Sequence, residues 1–170
     1  MKQKQSLEKL KNGLIDVVIF NLPFKKETEI EVIECQKVQD GFYASKKYIE
    51  LKDKTINIEE LNKYPLIMTS KKSNTRSFID EYLSKKDIIL NPNMELASFG
   101  LVKEFTKIGL GIGYLTREFI TDELNNNELF EIKTKEKIPN RSIGIAYSKK
   151  NLPSFATKEL IKMITENKKD

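Results

Sequence analysis

A polar segment between a predicted strand and a predicted helix offers the clearest chemistry in the sequence. It reads Thr69-Ser70-Lys71-Lys72-Ser73-Asn74-Thr75-Arg76 and follows the apolar run 65–69. Ser73 or Asn74 suits the cap of the helix, and the N–H groups of a first helical turn attract anions. The segment therefore fits an anion site at the carboxyl end of a strand, where α/β sheets gather ligands. Plain capping explains the pattern equally well, with Arg76 either in solvent or paired with an acidic neighbour.

Two more predicted strands end in small polar residues. Ser98 follows the predicted strand 94–97 and precedes Phe99, and Asn21 follows the apolar run 14–20. Taken alone, Ser98 needs no role beyond capping. Together, the three strand ends fit a cleft that holds a small polar ligand. No nucleophile–base pair accompanies them, and the acidic residues form no paired carboxylates for acid/base catalysis.

The absence of histidine and the single cysteine limit the possible chemistry. Without histidine, the chain contains no Ser-His-Asp triad, no Cys-His pair and no histidine-ligated metal site. Cys35 is the one cysteine of the sequence, so no intramolecular disulfide switch can form, and one cysteine is compatible with a reducing cytosol. Its alternating apolar segment predicts a buried core thiol. We predict neither a metal nor a cofactor.

The glycine cluster Gly109-Leu110-Gly111-Ile112-Gly113 invites a dinucleotide-binding interpretation. A phosphate-binding glycine loop follows a strand and opens a helix. Here a predicted helix precedes the cluster and a predicted strand follows it. We therefore predict a tight helix-to-strand turn with close backbone packing.

Composition predicts a folded protein without a membrane span. The chain has 170 residues, 39% of them hydrophobic, and a net charge of +5. Its longest nearly apolar run, 14–20, is far too short to cross a bilayer, and residues 1–11 contain no apolar signal-peptide core. The basic residues do not collect on one predicted helix, so the charge is interpreted as lysine-rich solvated surface rather than a nucleic-acid surface.

Helical and strand patterns alternate along most of the chain, which predicts an α/β fold with largely parallel sheets. The predicted helices are 6–12, which Gly13 ends, 55–61, 75–83, 99–108, 117–124 with Thr116 as its cap, and a last helix opened by Pro153. The predicted strands are 14–20, 30–35, 38–44, 65–69, 88–90, 94–97, 112–115, 129–132 and 142–147.

Five segments in this order resemble the effector-binding domain of LysR-type transcriptional regulators. Residues 7–19 resemble the family's "leu-x-x-gly-x-leu-asp-leu-ala-ile" pattern, and 58–67 its "asp-leu-x-x-tyr-pro-leu-ile" pattern. Residues 73–76 are similar to its "ser-gly-thr-arg" helix start, and 101–115 to "leu-val-x-x-gly-leu-gly-ile-x-leu-pro". Residues 143–147 are similar to the returning strand. Asn74 departs from the family glycine, which changes the chemistry of the pocket, and Thr116 from its proline.

The resemblance implies two periplasmic-binding-protein-like lobes joined by two crossing strands. Lobe I would comprise 1–45 and 148–170, lacking its first strand, helix and second strand, and lobe II would comprise 46–147. A small anionic or zwitterionic effector is expected between them. The effector-binding residues that we predict are Asn21, Ser73, Asn74, Thr75, Arg76, Ser98 and Phe99.

The resemblance also implies partners and a location. The family forms dimers, so a homodimer or higher oligomer is expected. Sequence-specific DNA binding would require a winged helix-turn-helix that these residues do not contain. We expect a cytoplasmic sensor without catalytic activity. The alternatives are a type 2 solute-binding protein of a transport system, which shares the fold, and an enzyme on that fold, which the missing histidine and acid/base pair disfavour.

Overall fold

A computed structural model describes residues 3–22, 28–150 and 154–166. Its helices are α1 (Gln3–Lys11), α2 (Asn74–Ser84), α3 (Phe99–Lys107), α4 (Thr121–Asn125) and α5 (Phe155–Glu166). Its strands are β1 (Val17–Leu22), β2 (Ile30–Val38), β3 (Asp40–Ser45), β4 (Thr55–Ile56), β5 (Leu66–Thr69), β6 (Met94–Leu96), β7 (Ile112–Thr116), β8 (Leu129–Glu131), β9 (Lys133–Thr134) and β10 (Arg141–Ser148).

The chain divides into two compact units. The first comprises Met1–Val38 with Arg141–Asp170, and the second comprises Gln39–Asn140. The lobe boundaries predicted from the sequence, at 45/46 and 147/148, stay a prediction.

An antiparallel sheet in the order β1-β10-β2 forms the centre of the first unit. The expectation of largely parallel sheets is therefore wrong for this unit. Helix α1 covers the sheet with Leu7 and Leu10, which pack with Phe20, Ile30 and Ala146. Gly13 follows the helix with a φ of +67°, a conformation that glycine adopts without the steric penalty of other residues. This confirms Gly13 as the residue that ends α1.

Strand β1 differs from the strand predicted at 14–20, which was expected to be buried on both faces. It begins only at Val17, and the side chains of Leu14 and Ile19 are 70% and 59% exposed. Within the described residues, β10 is its one strand partner. A continuous apolar run was an unreliable sign of burial here because β1 lies at a sheet edge.

A five-stranded mixed sheet forms the second unit, in the order β6-β5-β7-β3-β8. Strand β5 is parallel to β6 and β7, whereas β3 is antiparallel to β7 and β8. All four residues of β5 are buried. Consecutive residues alternate between two apolar clusters: Leu66 and Met68 lie in one, and Ile67 in the other. The sheet is therefore packed on both faces.

Helices α2 and α3 supply these two clusters from opposite sides of the sheet. Ile79 and Leu83 of α2 join Leu66 and Met68, while Val102 of α3 joins Ile67. Ile79 and Val102 are completely buried, and each such side chain contributes about 1.5–3 kcal/mol to folding. The packing fixes the position of both helix N-termini against the sheet.

The glycine cluster forms the predicted helix-to-strand turn between α3 and β7. Gly109 has a φ of +78°. A Cβ at Gly111 would lie 2.5 Å from the carbonyl oxygen of Pro65, and one at Gly113 would lie 2.1 Å from Oγ1 of Thr106. Glycine is required because backbone and helix approach too closely for a side chain, which confirms the interpretation as close packing.

Several local predictions are wrong. Residues 88–90 form no strand, and 55–61 form β4 followed by the 3-10 turn Ile58–Lys63 rather than one helix. Residues 117–124 are divided between the 3-10 turn Arg117–Phe119 and α4. Cys35, expected in the core, is only half-buried. Pro153, predicted to open the last helix, lies outside the described residues.

Candidate functional site

A hydroxyl group at the N-terminus of α2 hydrogen bonds to a hydroxyl group at the end of β5. Ser73 caps the helix, and its Oγ accepts hydrogen bonds from the amide of Arg76 at 3.4 Å and from Oγ1 of Thr69 at 3.0 Å. A hydroxyl has two acceptor positions and one proton. With both acceptor positions of Ser73 used in this way, its one proton is left for a further acceptor.

The backbone of this first turn adds further donors. Helical geometry gives the amides of Asn74 and Thr75 no carbonyl partner within the helix, and the positive end of the helix dipole lies here. Asn74 is exposed and Thr75 is half-buried. Such donors suit a carboxylate or phosphate oxygen, and the anion site at this segment stays a prediction beside plain capping.

A second helix N-terminus lies at the same edge of the sheet. Ser98 caps α3, and its Oγ accepts a hydrogen bond from the amide of Leu101 at 3.4 Å. The amide of Ser70 donates to the carbonyl of Leu96 at 3.0 Å, which joins the ends of the parallel strands β5 and β6. The structure thus brings Ser73 and Ser98 to one polar edge. The half-buried ring of Phe99 stacks edge-on with Phe119 at 5.8 Å.

Arg76 is held inside the second unit rather than in solvent. Its side chain is 3% exposed, and Nε donates to both carboxylate oxygens of Asp80 at 2.8 and 2.9 Å. Nη1 donates to Glu95 at 3.2 Å and to the carbonyl of Thr69 at 3.5 Å. This confirms pairing with an acidic neighbour and contradicts the solvent alternative. A direct effector contact by Arg76 stays a prediction.

Asn21 belongs to the first unit, on β1. Its Oδ1 accepts a hydrogen bond from Nη1 of Arg141 on β10 at 2.5 Å. Arg141 is 5% exposed, so it fixes the orientation of the Asn21 amide. Sequence reasoning missed Arg141 because the two residues are distant in sequence and antiparallel pairing of β1 with β10 was not predicted.

Sequence reasoning also missed polar contacts further along the edge of the five-stranded sheet. Oγ1 of Thr116 donates to Oδ1 of Asp40 at 2.6 Å, and both residues are 1% exposed. Thr116 lies at the predicted N-cap position, before the 3-10 turn Arg117–Phe119, but its side chain makes no cap bond. The amide of Gln39 donates to the carboxylate of Glu118 at 3.0 and 3.1 Å. No local pattern signals these contacts because their partners are far apart in sequence.

The hydroxyl of Tyr43 lies buried close to this edge. Burial raises its pKa well above the usual range for tyrosine, and the nearby carboxylate of Glu131 raises it further. The phenol therefore stays protonated at physiological pH. Arg117, which opposes this shift, is paired with Glu131 at 2.5 Å.

Two kinds of feature are absent from the described ranges. Residues 3–22, 28–150 and 154–166 contain no group of three or more histidine, cysteine, aspartate or glutamate side chains arranged to hold a metal ion. No helix within those ranges has the length and apolar character needed to span a membrane.

The fold defines a periplasmic-binding-protein-like domain of the kind found in LysR-type transcriptional regulators. The model of the LysR substrate binding domain matches residues 1–169. The chain therefore belongs to the LysR substrate-binding domain family, and the resemblance found in the sequence is confirmed.

Curated relatives are transcriptional regulators. The HTH-type transcriptional activator CmpR of Synechocystis sp. is 31% identical over 114 residues, which is 67% of this chain and 37% of CmpR. A probable RuBisCO transcriptional regulator of Trichormus variabilis is 25% identical over 164 residues, which is 86% of this chain and 49% of that protein. The chain thus spans between about a third and a half of the relatives that it matches.

Solved structures share the fold. One is the regulatory domain of Synechocystis PCC6803 CcmR in complex with 2-PG, with a TM-score of 0.82 and 20% sequence identity. The match covers 100% of this chain and 81% of the CcmR chain. Another is the effector-binding domain of QuiR in complex with shikimate, with a TM-score of 0.77 and 18% sequence identity. That match covers 98% of this chain and 78% of the QuiR chain. Both comparisons support the α/β architecture.

Proposed function

We propose that this chain is the sensor part of a LysR-type regulator and binds a small anionic or zwitterionic effector. A winged helix-turn-helix elsewhere in the regulator would bind DNA, and effector binding would modulate that activity. The role of the chain is binding rather than catalysis. In support, its curated relatives are transcriptional regulators, and two structures of similar fold hold 2-PG and shikimate.

The observation that carries the anionic preference is the hydroxyl pair formed by Ser73, the cap of α2, and Thr69 at the end of β5. Ser73 accepts from both Thr69 and the amide of Arg76, which leaves its proton to donate to the effector. Thr75 and the amides of the first turn would add donors, and a site made of donors favours a ligand that accepts hydrogen bonds.

The rest of the proposed site is assigned by position. Ser98 and Phe99 start the neighbouring helix α3 and would form a wall of the site. Asn74 is exposed at the first position of α2 and is available to the same ligand. Effector contacts by Asn21 and Arg76 remain predictions.

The test begins with a thermal-shift screen of the full-length regulator against small carboxylates, amino acids and inorganic anions. The best compound then serves as the probe for Thr75→Val, which keeps the shape of the side chain and removes its hydroxyl. Loss of one hydrogen bond to a charged group costs about 1.5–3 kcal/mol, or about tenfold to a hundredfold in affinity. Calorimetry measures the affinity, and operator gel shifts measure the regulatory response.

Thr55→Val is the matched control because Thr55 is an exposed threonine on β4. The Thr55→Val variant should bind the probe compound with the same affinity as the parent protein. Ser73→Ala should also weaken binding, with an additional loss of about 1 kcal/mol in stability because the cap is removed. If Thr75→Val and Ser73→Ala both leave affinity and induction unchanged, the proposed site is wrong.

A further inference from the structure

The five-stranded sheet has a lateral edge at β8 whose main-chain groups no second strand covers. In the described part of the chain, β3 is the one strand that pairs with β8. Residues that hydrogen bond toward a given neighbour alternate along an antiparallel strand. The amide of Ile132 donates to the carbonyl of Phe42 at 2.8 Å, so Phe130 also bonds toward β3. The N–H and C=O groups of Leu129 and Glu131 therefore point away from the sheet.

The continuation of this edge beyond β8 is covered. Strand β9 pairs with the parallel strand β4, and the amide of Lys135 donates to the carbonyl of Ile56 at 2.9 Å. Within the described residues, no comparable hydrogen bond reaches the main chain of Leu129 or Glu131 from that side. The uncovered part of the edge is thus the short segment that precedes β9.

A groove runs beside this uncovered segment. It is a cavity of about 450 Å³, and all three residues of β8 line it: Leu129, Phe130 and Glu131. Successive side chains of a strand point to opposite faces. A cavity that touches three consecutive residues therefore lies along the edge of the strand rather than over one face. We call this cavity the β8 groove.

The 3-10 helix Lys46–Leu51 and the residue after it contribute two lysines to the β8 groove. Lys46, Ile49 and Lys52 line it, as expected for residues three apart, which share one face of a 3-10 helix. Ile49 lies between the lysines and is 54% exposed. This side of the groove therefore offers two ammonium groups on either side of an apolar side chain.

Positive charge exceeds negative charge in the β8 groove. Its charged lining residues are Lys46, Lys52, Arg117 and Glu131. Arg117 and Glu131 pair with each other at 2.5 Å. In the described part of the chain, neither Lys46 nor Lys52 has a carboxylate within ion-pair distance. The two lysines are therefore available to an acidic ligand.

The charges that adjoin the β8 groove do not cancel this excess. Glu128, which precedes β8, is paired with Lys107 at 3.0 Å. Near Lys46 and Lys52 in sequence lie two further charges of each sign: Lys47, Glu50, Asp53 and Lys54. The groove keeps the positive charge of its two unpaired lysines.

We propose that the β8 groove binds an extended peptide segment of a partner protein, in which acidic and apolar side chains alternate. The peptide would add a strand to the sheet and hydrogen bond with the main chain of Leu129 and Glu131. Its acidic side chains would face Lys46 and Lys52. Its apolar side chains, on the opposite face of the added strand, would lie on the side of the half-buried Leu124.

The charge of the groove also decides between a partner peptide and a second copy of this chain. Pairing β8 with β8 of another copy would bring two positively charged grooves together, and edge lysines discourage such pairing. A strand of opposite charge meets no such repulsion. The β8 groove is independent of the effector site proposed above, because β8 and β6 lie at opposite edges of the sheet.

The probes for the test are two capped peptides, acetyl-Thr-Glu-Val-Glu-Val-Thr-amide and its counterpart with lysine in place of glutamate. Each is titrated into the whole chain while backbone amide NMR shifts are recorded. The acidic peptide should shift the amides of residues 129–131 and saturate, whereas the basic peptide should not. Equal binding of the two peptides, or shifts centred elsewhere, would overturn the proposal.

Two N-methylated forms of the acidic peptide distinguish strand addition from simple charge attraction. One is methylated on the amides of both valines and the other on the amides of both glutamates. Alternate amides of a strand point to the same side, so one form should lose binding and the other should keep it. Equal binding of both forms, or the same shifts with inorganic phosphate alone, would show an anion site and contradict strand addition.

The lysines are tested by combining Lys46→Gln with Lys52→Gln. This variant should bind the acidic peptide about fivefold more weakly, since ion pairs at exposed positions contribute modestly. The matched control combines Lys72→Gln with Lys135→Gln, which are exposed residues outside the groove. The control should bind as the parent chain does, and equal affinities of the two double variants would refute the role of the lysines.

Glu131→Pro tests the main chain of β8 directly. Proline removes the outward N–H and leaves the bonds of β8 toward β3 in place, as edge strands tolerate. Glu131→Ala is the matched control because it removes the same carboxylate and keeps the N–H; it should bind the acidic peptide more tightly than the parent chain does. Glu131→Pro should bind at least about tenfold more weakly than Glu131→Ala. Equal affinity of the two variants would refute strand addition, and the N-methylated peptides give the same decision if Glu131→Pro does not fold.

Discussion

Gly113→Ala should destabilise the second unit because the space beside Gly113 is filled by one side chain. An added Cβ would lie 2.1 Å from Oγ1 and 3.2 Å from Cβ of Thr106. Thr106 cannot rotate away cheaply, since it is completely buried and its Oγ1 donates to the carbonyl of Val102 at 2.7 Å. Overpacking of this kind costs about 1–3 kcal/mol, and we expect the upper part of that range.

A double-mutant cycle with Thr106→Ala separates the clash from other effects. Trimming Thr106 removes the atom at 2.1 Å and leaves its Cβ at 3.2 Å, so most of the loss caused by Gly113→Ala should be recovered. Urea unfolding followed by circular dichroism gives the four stabilities, and the coupling energy should be about 1–2 kcal/mol. Additive effects of the two substitutions would refute the argument.

Two other glycines provide controls with different expected outcomes. A Cβ added at Gly100, on the exposed side of α3, would meet no atom within 4 Å, so Gly100→Ala should stabilise the helix by about 0.5–1 kcal/mol. Gly111→Ala would place a Cβ 2.5 Å from the backbone oxygen of Pro65. No side-chain truncation can relieve that contact, so this variant should be destabilised without a rescuing partner.

Three further predictions concern assembly, pH and oxidation. Self-association at high concentration is expected through the edge of β1 that has no strand partner within the described residues. Ile19→Lys should reduce it in sedimentation experiments, while Ile49→Lys, at a similarly exposed position, should not; a parent chain that stays monomeric would contradict this. A hydrogen bond from Lys103, at 2.6 Å, lowers the pKa of Glu123, so its stabilising effect is present above the ordinary carboxyl pKa and is lost as pH falls through the lowered value. Glu123→Gln should cost about 1 kcal/mol at neutral pH and flatten acid unfolding, and an unchanged pH profile would count against the pairing. Peroxide should not crosslink the chain efficiently through Cys35, which a non-reducing gel measures; a strong dimer band would overturn the expectation.

Local patterns predicted the elements whose stability depends on neighbouring residues in sequence. Strand β5 and helix α2 were predicted within one residue at each boundary, and Ser73 caps α2 as its position suggested. Gly13 and the glycine turn before β7 were predicted because glycine is required by local backbone conformation or close approach. Such local patterns can be recognised in the sequence without knowledge of the tertiary structure.

Long-range contacts decided the features that the sequence did not reveal. Thr116 looked like a helix cap, yet its hydroxyl donates to Asp40, 76 positions away. Thr55 looked like the start of a helix but pairs with Lys133 across a two-stranded parallel sheet. The orientation of Asn21 depends on Arg141, which is distant in sequence. Each outcome depends on a partner whose proximity only the folded chain defines.

The position of β10 between β1 and β2 has a consequence for biosynthesis. A ribosome completes β1 and β2 before it starts the second unit, and β10 emerges only after that unit. Since β1 and β2 pair with β10 and not with each other, neither has its described strand partner while residues 39–140 are translated. At elongation speeds of about 5–20 residues per second, that interval is several seconds or longer. The contiguous second unit can fold during this time, whereas the sheet of the first unit can form only after β10 has been translated.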